Sequence, residues 1–121
     1  MILGTGVDII EISRVGKAAK REGFVKRIFS ADEIAYWEQK NCAAETLAGA
    51  FAAKEAVSKA LGTGFGRIRW TEVEILHTQS GAPYVRLSGE AFLRLRELCG
   101  SNVHISISHC KGYAMAQAIV E

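Results

Sequence analysis

Nothing constrains the fold of this chain more than Leu47–Gly64, LAGAFAAKEAVSKALGTG, where Ala48, Ala50, Ala52, Ala53, Ala56 and Ala60 crowd one segment. Alanine is the strongest helix former, so the run predicts a long, thin helix that another backbone or a large ligand can approach closely. Gly62-Thr63-Gly64 predicts its end, because glycine readily takes the left-handed conformation that closes a helix. Phe51, Glu55 and Lys59 stand four residues apart and so share one face. A carboxylate and an ammonium thus lie beside glycines able to turn backbone N–H groups toward a phosphate. A core helix with an ordinary surface Glu–Lys pair, worth about 0.3 kcal/mol, has the same pattern; other segments must discriminate.

Met1–Ile12, MILGTGVDIIEI, is one such segment. It is apolar and β-prone, yet it carries an isolated carboxylate, Asp8. Strands seldom tolerate a central Asp, and a buried carboxylate needs a cation, a metal or several donors. Asp8 is therefore either a hydrogen-bond acceptor at a strand end or half of an oxygen-ligand metal site, with Glu55 the candidate for the other half. Two carboxylates completed by water and phosphate oxygens suit Mg²⁺, which rarely has an all-protein cage.

In His104–His109, HISISH, the residues Val103, Ile105 and Ile107 alternate with His104, Ser106 and Ser108, which predicts a strand with one apolar and one polar face. Cys110-Lys111-Gly112 reads as a turn and Tyr113–Val120 as the returning strand. The serine-rich face is either the solvated side of a sheet or a phosphate or ribose site. His109 falls on the apolar side, unless the turn redirects it. Neither His is read as a metal ligand, since no close-spaced His or Cys pair accompanies them.

The remaining segments complete a βααα–ββαββ order, an α+β chain with a largely antiparallel sheet and a single domain over residues 1–121. Ser13 and Ser30 are expected to cap helices, and Ser30-Ala31-Asp32-Glu33 has capping-box spacing ahead of a helix to about Lys40. Ile68–His77 reads as a strand, Gln79-Ser80-Gly81 as a turn, and Pro83–Leu87 as the next strand. Ser88–Cys99 places Phe92, Leu95 and Leu98 at helical spacing. With 49% hydrophobic and 23% charged residues, 121 residues suffice for one modest core. No run of eighteen apolar residues predicts a membrane span, and the N-terminus lacks signal-peptide features. Cys42, Cys99 and Cys110, odd in number and without a CxxC, suit reduced thiols in a cytoplasm.

The net charge of +2 conceals a polarity. Ser13–Arg27 carries Arg14, Lys17, Lys20, Arg21, Lys26 and Arg27 against Glu22 alone, a local +5, while the other segments sum to −3. Such a run is a solvated face, a dock for an acidic protein, or a nucleic-acid contact.

Together, Gly6-Val7-Asp8-Ile9 with Ile12 and Arg14, Phe51-Ala52-Ala53-Lys54-Glu55-Ala56 with Lys59 and Gly62-Thr63-Gly64, and Ser106-Ile107-Ser108-His109 resemble the holo-acyl-carrier-protein synthase family. These are small 4′-phosphopantetheinyl transferases of fatty-acid synthesis, and the resemblance covers essentially the whole chain. It implies transfer of the phosphopantetheine arm of coenzyme A to a serine hydroxyl of apo acyl carrier protein, with 3′,5′-ADP leaving. By motif, Asp8 and Glu55 correspond to Mg²⁺ ligands. Lys59 corresponds to the cation that holds the phosphates and stabilises or protonates the leaving one. Either a metal-bound water or Glu55 takes the serine proton. Gly62, Gly64, Ser108 and His109 correspond to coenzyme A contacts, although Gly62 is equally what a helix end requires.

The same resemblance implies docking of an acidic carrier protein by Arg14, Arg21 and Arg27, with Phe51 adding an apolar contact or simply packing in the core. It also implies a homotrimer whose sites lie between subunits. Two positions depart from the family pattern: Ala50 stands where a basic residue is common, and Cys110 where Thr or Ser is usual. Both bear on coenzyme A affinity more than on the metal site. The rival readings are a catalytically silent binder of coenzyme A or carrier protein, and a nucleic-acid module, which would leave Asp8 and Glu55 unexplained.

Overall fold

The computed structural model describes residues 1–121. Its elements are β1 (Gly4–Glu11), α1 (Ile12–Ala19), α2 (Phe24–Ile28), α3 (Ala31–Gln39), α4 (Ala44–Leu61), β2 (Val73–His77), β3 (Pro83–Leu87), α5 (Gly89–Glu97), β4 (Val103–His109) and β5 (Tyr113–Val120). The class is α+β and the pairing antiparallel throughout, but in two sheets: β1-β5-β4, and a separate β2-β3 ribbon.

Alternation orients the larger sheet. Ala114, Ala116, Ala118 and Val120 of β5 are buried toward α4, while Tyr113, Met115 and Gln117 face away. Asp8 pairs with Ala116 and therefore lies on the α4 side of β1. The thinness read from the alanines is used by a backbone, that of β1. A Cβ on Gly4 would collide with the Ala60 carbonyl oxygen, and one on Gly6 with that of Ala56. Glycine facing alanine thus brings β1 directly against α4. Val57, Leu61, Ile68, Ile75 and Leu95 fill the core beneath this seam. A second cluster of Val15, Ile28, Phe29, Leu47, Ala48 and Ala114 joins the small helices to the first turns of α4.

Several local expectations change. Ser30 forms the capping box, accepting from Glu33 N at 3.3 Å while Glu33 Oε1 accepts from Ser30 N at 3.0 Å. Ser13 caps nothing: α1 begins one residue earlier, with Glu11 at the cap position and no side-chain cap bond. The basic run is two helices, broken at Gly23, whose φ of 81° is left-handed. Of Ile68–His77, only Val73–His77 is strand; Trp70–Glu72 is a single 3₁₀ turn. Phe92 is 44% exposed, and the buried face of α5 runs instead through Ala91 and Leu95. The hairpin turn closes as expected, with Cys110 N donating to Tyr113 O at 2.9 Å.

Candidate active site

Because β1 lies so close to α4, Asp8 on the strand meets Lys59 on the helix. Lys59 Nζ donates to Asp8 Oδ1 at 3.3 Å and to the Val7 carbonyl at 3.0 Å. Glu55, one turn before Lys59, is half-buried. Its carboxyl is held above the usual carboxylate range, first by burial and then by the negative charge of Asp8, with Lys59 pulling it back. The sequence could not place Asp8 beside Glu55; the structure brings both carboxylates and the ammonium into one cluster.

Asp8 and Glu55 line a cleft of about 480 Å³ together with Arg14, Arg21, Phe24 and Phe51, while Lys59 lines a separate hollow with Thr5, Gly6 and Val7. Arg27, at the far end of α2, does not line the cleft. Of the two roles weighed for Phe51, core packing is met, since it packs against the second cluster. It lines the cleft, and its ring stacks at 6.4 Å on Phe24 and at 5.2 Å on Trp70, which in turn stacks on Phe65 at 3.7 Å. The Arg21 guanidinium lies 5.8 Å from the Phe24 ring centroid, a cation–π contact at the rim.

Asp8 and Glu55 suit a hard cation. The charge of Asp8 raises the cost of a negative charge on Glu55, so a divalent ion between them would relieve a repulsion already present. No group of three or more His, Cys, Asp or Glu side chains gathers anywhere in the chain. The donor set therefore matches an ion that takes its other ligands from water and phosphate.

The remaining site residues are dispersed. Gly62 (φ 76°) and Gly64 (φ 65°) are left-handed, but their N–H groups do not form a free cradle. Gly62 N donates to Lys59 O at 3.0 Å and Gly64 N to Ser58 O at 3.4 Å, satisfying the end of α4. Arg94 Nε adds a 2.8 Å bond to Leu61 O. Ser108 pairs with Met115 and faces away from α4. His109 lies on the α4 side, with Nδ1 3.5 Å from Glu45 Oε2. It lines a hollow of about 230 Å³ together with Tyr36, Gly49, Ala50 and His77. In that hollow Tyr36 stacks on His77 at 3.9 Å, and His77 Nδ1 is buried without a partner. Within one chain, then, Ser108 and His109 do not converge on Asp8 and Lys59.

Comparison with known proteins identifies the family whose fold carries this cluster. The family model described as the 4′-phosphopantetheinyl transferase superfamily matches residues 4–118, from the first residue of β1 nearly to the end of β5. The chain belongs to that superfamily. Among the transferases most like it, the holo-[acyl-carrier-protein] synthase of Alkaliphilus oremlandii is 49% identical, covering 98% of each chain. That of Clostridium tetani is 45% identical over 100% of this chain and 97% of its own. Among solved structures, the Neisseria meningitidis synthase superposes with a TM-score of 0.89 at 32% identity, over 100% of this chain and 99% of that one. The Helicobacter pylori synthase in complex with coenzyme A gives 0.85 at 34% identity, over 97% and 99%.

Sequence reasoning about this transferase passed over Lys54. It is fully buried, and its ammonium donates to Glu33 Oε1 at 2.8 Å, Trp70 O at 2.9 Å and Val73 O at 2.6 Å. The signal was available, since Lys54 falls on the stripe of Leu47, Val57 and Leu61, where a charge requires buried partners.

Proposed function

We propose that this chain, as a single transferase domain, moves the 4′-phosphopantetheine group of coenzyme A to a serine hydroxyl of apo acyl carrier protein and releases 3′,5′-ADP. The observation that carries the proposal is one cleft walled by Asp8 and Glu55 and by Arg14 and Arg21, with Lys59 bonded to Asp8 beside it. Phosphoryl transfer requires charge neutralisation and alignment of the nucleophile, and these two walls supply the groups for each.

Asp8 and Glu55 would hold Mg²⁺, which when bound neutralises and polarises the pyrophosphate oxygens. Lys59 spends two of its three N–H bonds on Asp8 and Val7 O. The third is left for a phosphate oxygen, where the ammonium stabilises the departing charge. Glu55, with its carboxyl held above the ordinary range, suits a group that takes the serine proton directly or through a water. Arg14, Arg21 and Phe51 would receive an acidic carrier protein and steer its approach. Arg27, outside the cleft, would act only at longer range.

The absence of Ser108 and His109 from the hollows that Asp8, Glu55 and Lys59 line supports a trimer in which neighbouring subunits complete each coenzyme A site. So does the outward face of the β1-β5-β4 sheet, which leaves Val7, Ile9, Tyr113 and Met115 about half exposed. Gly62 and Gly64 would then contact coenzyme A by close approach of backbone, since their N–H groups are engaged. A cytoplasmic role in fatty-acid synthesis fits three free cysteines and the nature of the reaction.

The deciding experiment is mass spectrometry of apo acyl carrier protein incubated with this chain, coenzyme A and Mg²⁺, with an EDTA control. A metal-dependent gain of about 340 Da, the phosphopantetheine mass expected from this chemistry, establishes the transfer. No gain across several carrier proteins while coenzyme A still binds supports instead the silent binder, the reading that Ala50 keeps open.

A further inference from the structure

The one long charged side chain wholly buried in α4 precedes Glu55 directly. Lys54 exhausts its three donors on three different elements: Glu33 in α3, the Trp70 carbonyl in the 3₁₀ turn, and the Val73 carbonyl at the start of β2. Glu33 is equally committed, since its other oxygen accepts from Ile75 N at 2.9 Å and Oε1 also accepts from Ser30 N. Ser30 Oγ in turn donates to Glu74 Oε2 at 2.6 Å, and Arg86 joins Glu74 to Asp32. A continuous ionic chain thus runs from the surface to the residue beside Glu55.

On the opposite flank the directed contacts of α4 with β1 are the two made by Lys59, to Val7 O and Asp8 Oδ1, and they stand in solvent, where such a pair anchors weakly. There the helix meets β1 through Ala56 and Ala60 against Gly4 and Gly6, a smooth apolar seam that fixes distance but offers little resistance to rotation or axial sliding. Directed hydrogen bonds supply what such a seam lacks. Lys54 also holds the backbone of Trp70, whose ring supports Phe51 one turn before Glu55. From this geometry we infer that Lys54 is a positioning residue: it locks the rotation of α4 so that Glu55 and Phe51 present to the cleft.

The inference rests on the reading of Glu55 as a metal-binding carboxylate, and its test separates the two. Mg²⁺-dependent coenzyme A affinity is measured by calorimetry, alongside Tm and turnover, for Lys54→Met, Glu33→Gln, the double variant and Glu55→Gln. Lys54→Met is expected to lower Tm by at least about 10 °C, because it strands Glu33. The double variant buries no unpaired charge and is expected to regain most of that Tm. It is expected to keep a loss of about tenfold in Mg²⁺-dependent affinity, with a matching fall in kcat, since the three-way pin is still missing. Affinity and kcat that return together with Tm would overturn the inference and leave Lys54 a stabilising residue only.

Glu33→Gln alone keeps Lys54 and its two carbonyl bonds, so affinity within about twofold of the parent is expected. A tenfold loss in this folded variant would place the effect in the charge of the pair and overturn the pin, whether or not the double variant folds. Unchanged metal-dependent affinity in Glu55→Gln would overturn the reading of the site itself.

Discussion

Two lysine–carboxylate pairs lie five residues apart on α4 and differ in every physical respect. Lys54–Glu33 is sealed, with both side chains at most 2% exposed, a 2.8 Å contact and every lysine donor used. Lys59–Asp8 is open, with a 3.3 Å contact, the lysine side chain 53% exposed and one donor unspent. Burial pushes the Lys54 ammonium down and the Glu33 carboxyl up, and their mutual contact offsets this first, helped by backbone N–H bonds from Ile75 and Ser30 to Glu33 and by the charge of Glu74 near Lys54. A pair of the first kind cannot exchange partners without leaving a buried charge unpaired. One of the second kind gains little from its contact and can release it to a substrate. The same chemistry is therefore locked in one turn of the helix and open to exchange in the next, with solvent access as the divider.

The contrast fails first if the open cluster is not the working one. Glu55→Gln is expected to cut turnover by more than the roughly hundredfold that even an outer-shell metal partner costs, with Tm unchanged; retained turnover in the mass assay removes Glu55 from the site. Next is the sealed pair: Lys54→Met should destabilise by about 3–5 kcal/mol in denaturant titration, and a change below 1 kcal/mol would show that the node is not committed. Across the cleft, Arg14→Glu should raise KM for acyl carrier protein by about tenfold, roughly 1.4 kcal/mol, and leave KM for coenzyme A unaltered. Equal shifts would argue against docking.

Lys59→Met should alter stability by no more than about 1 kcal/mol, as for exposed ion pairs, while lowering kcat; a large stability loss would erase the distinction between the pairs. The smallest effect concerns acid. Arg86 and Ser30 hold the Glu74 carboxyl below its ordinary range despite burial. A carboxyl depressed in the folded state contributes stability that is present above its unfolded value, near 4.3, and is lost as pH falls through the folded one. Glu74→Gln should therefore flatten the decline of Tm below about pH 4.

Much of this was legible because it is local. The capping box, the alternation of β4 and β5 and the glycine end of α4 follow from nearest neighbours along the chain. Asp8, Glu55 and Lys59 were identifiable as chemistry-bearing residues from composition and spacing. Their meeting was not, because it depends on β1 crossing α4 some fifty residues away in sequence. The strand read from Ile68 fails for a related reason: Lys54 takes the carbonyls of Trp70 and Val73, which holds that stretch in a 3₁₀ turn before β2 begins. Alternation in Ile68–Glu72 carried no trace of that distant lysine.

The glycines of β1 carry a consequence for how the enzyme can vary. Catalytic geometry is usually thought to be guarded by the side chains that perform the chemistry, yet here two of its determinants are missing methyl groups. An alanine at Gly6 would press on the backbone of Ala56, the residue after Glu55, and pry the strand bearing Asp8 away from the helix bearing its partner. A larger side chain on the cleft's outer wall meets solvent, whereas one in the seam between β1 and α4 meets backbone and has no room to grow.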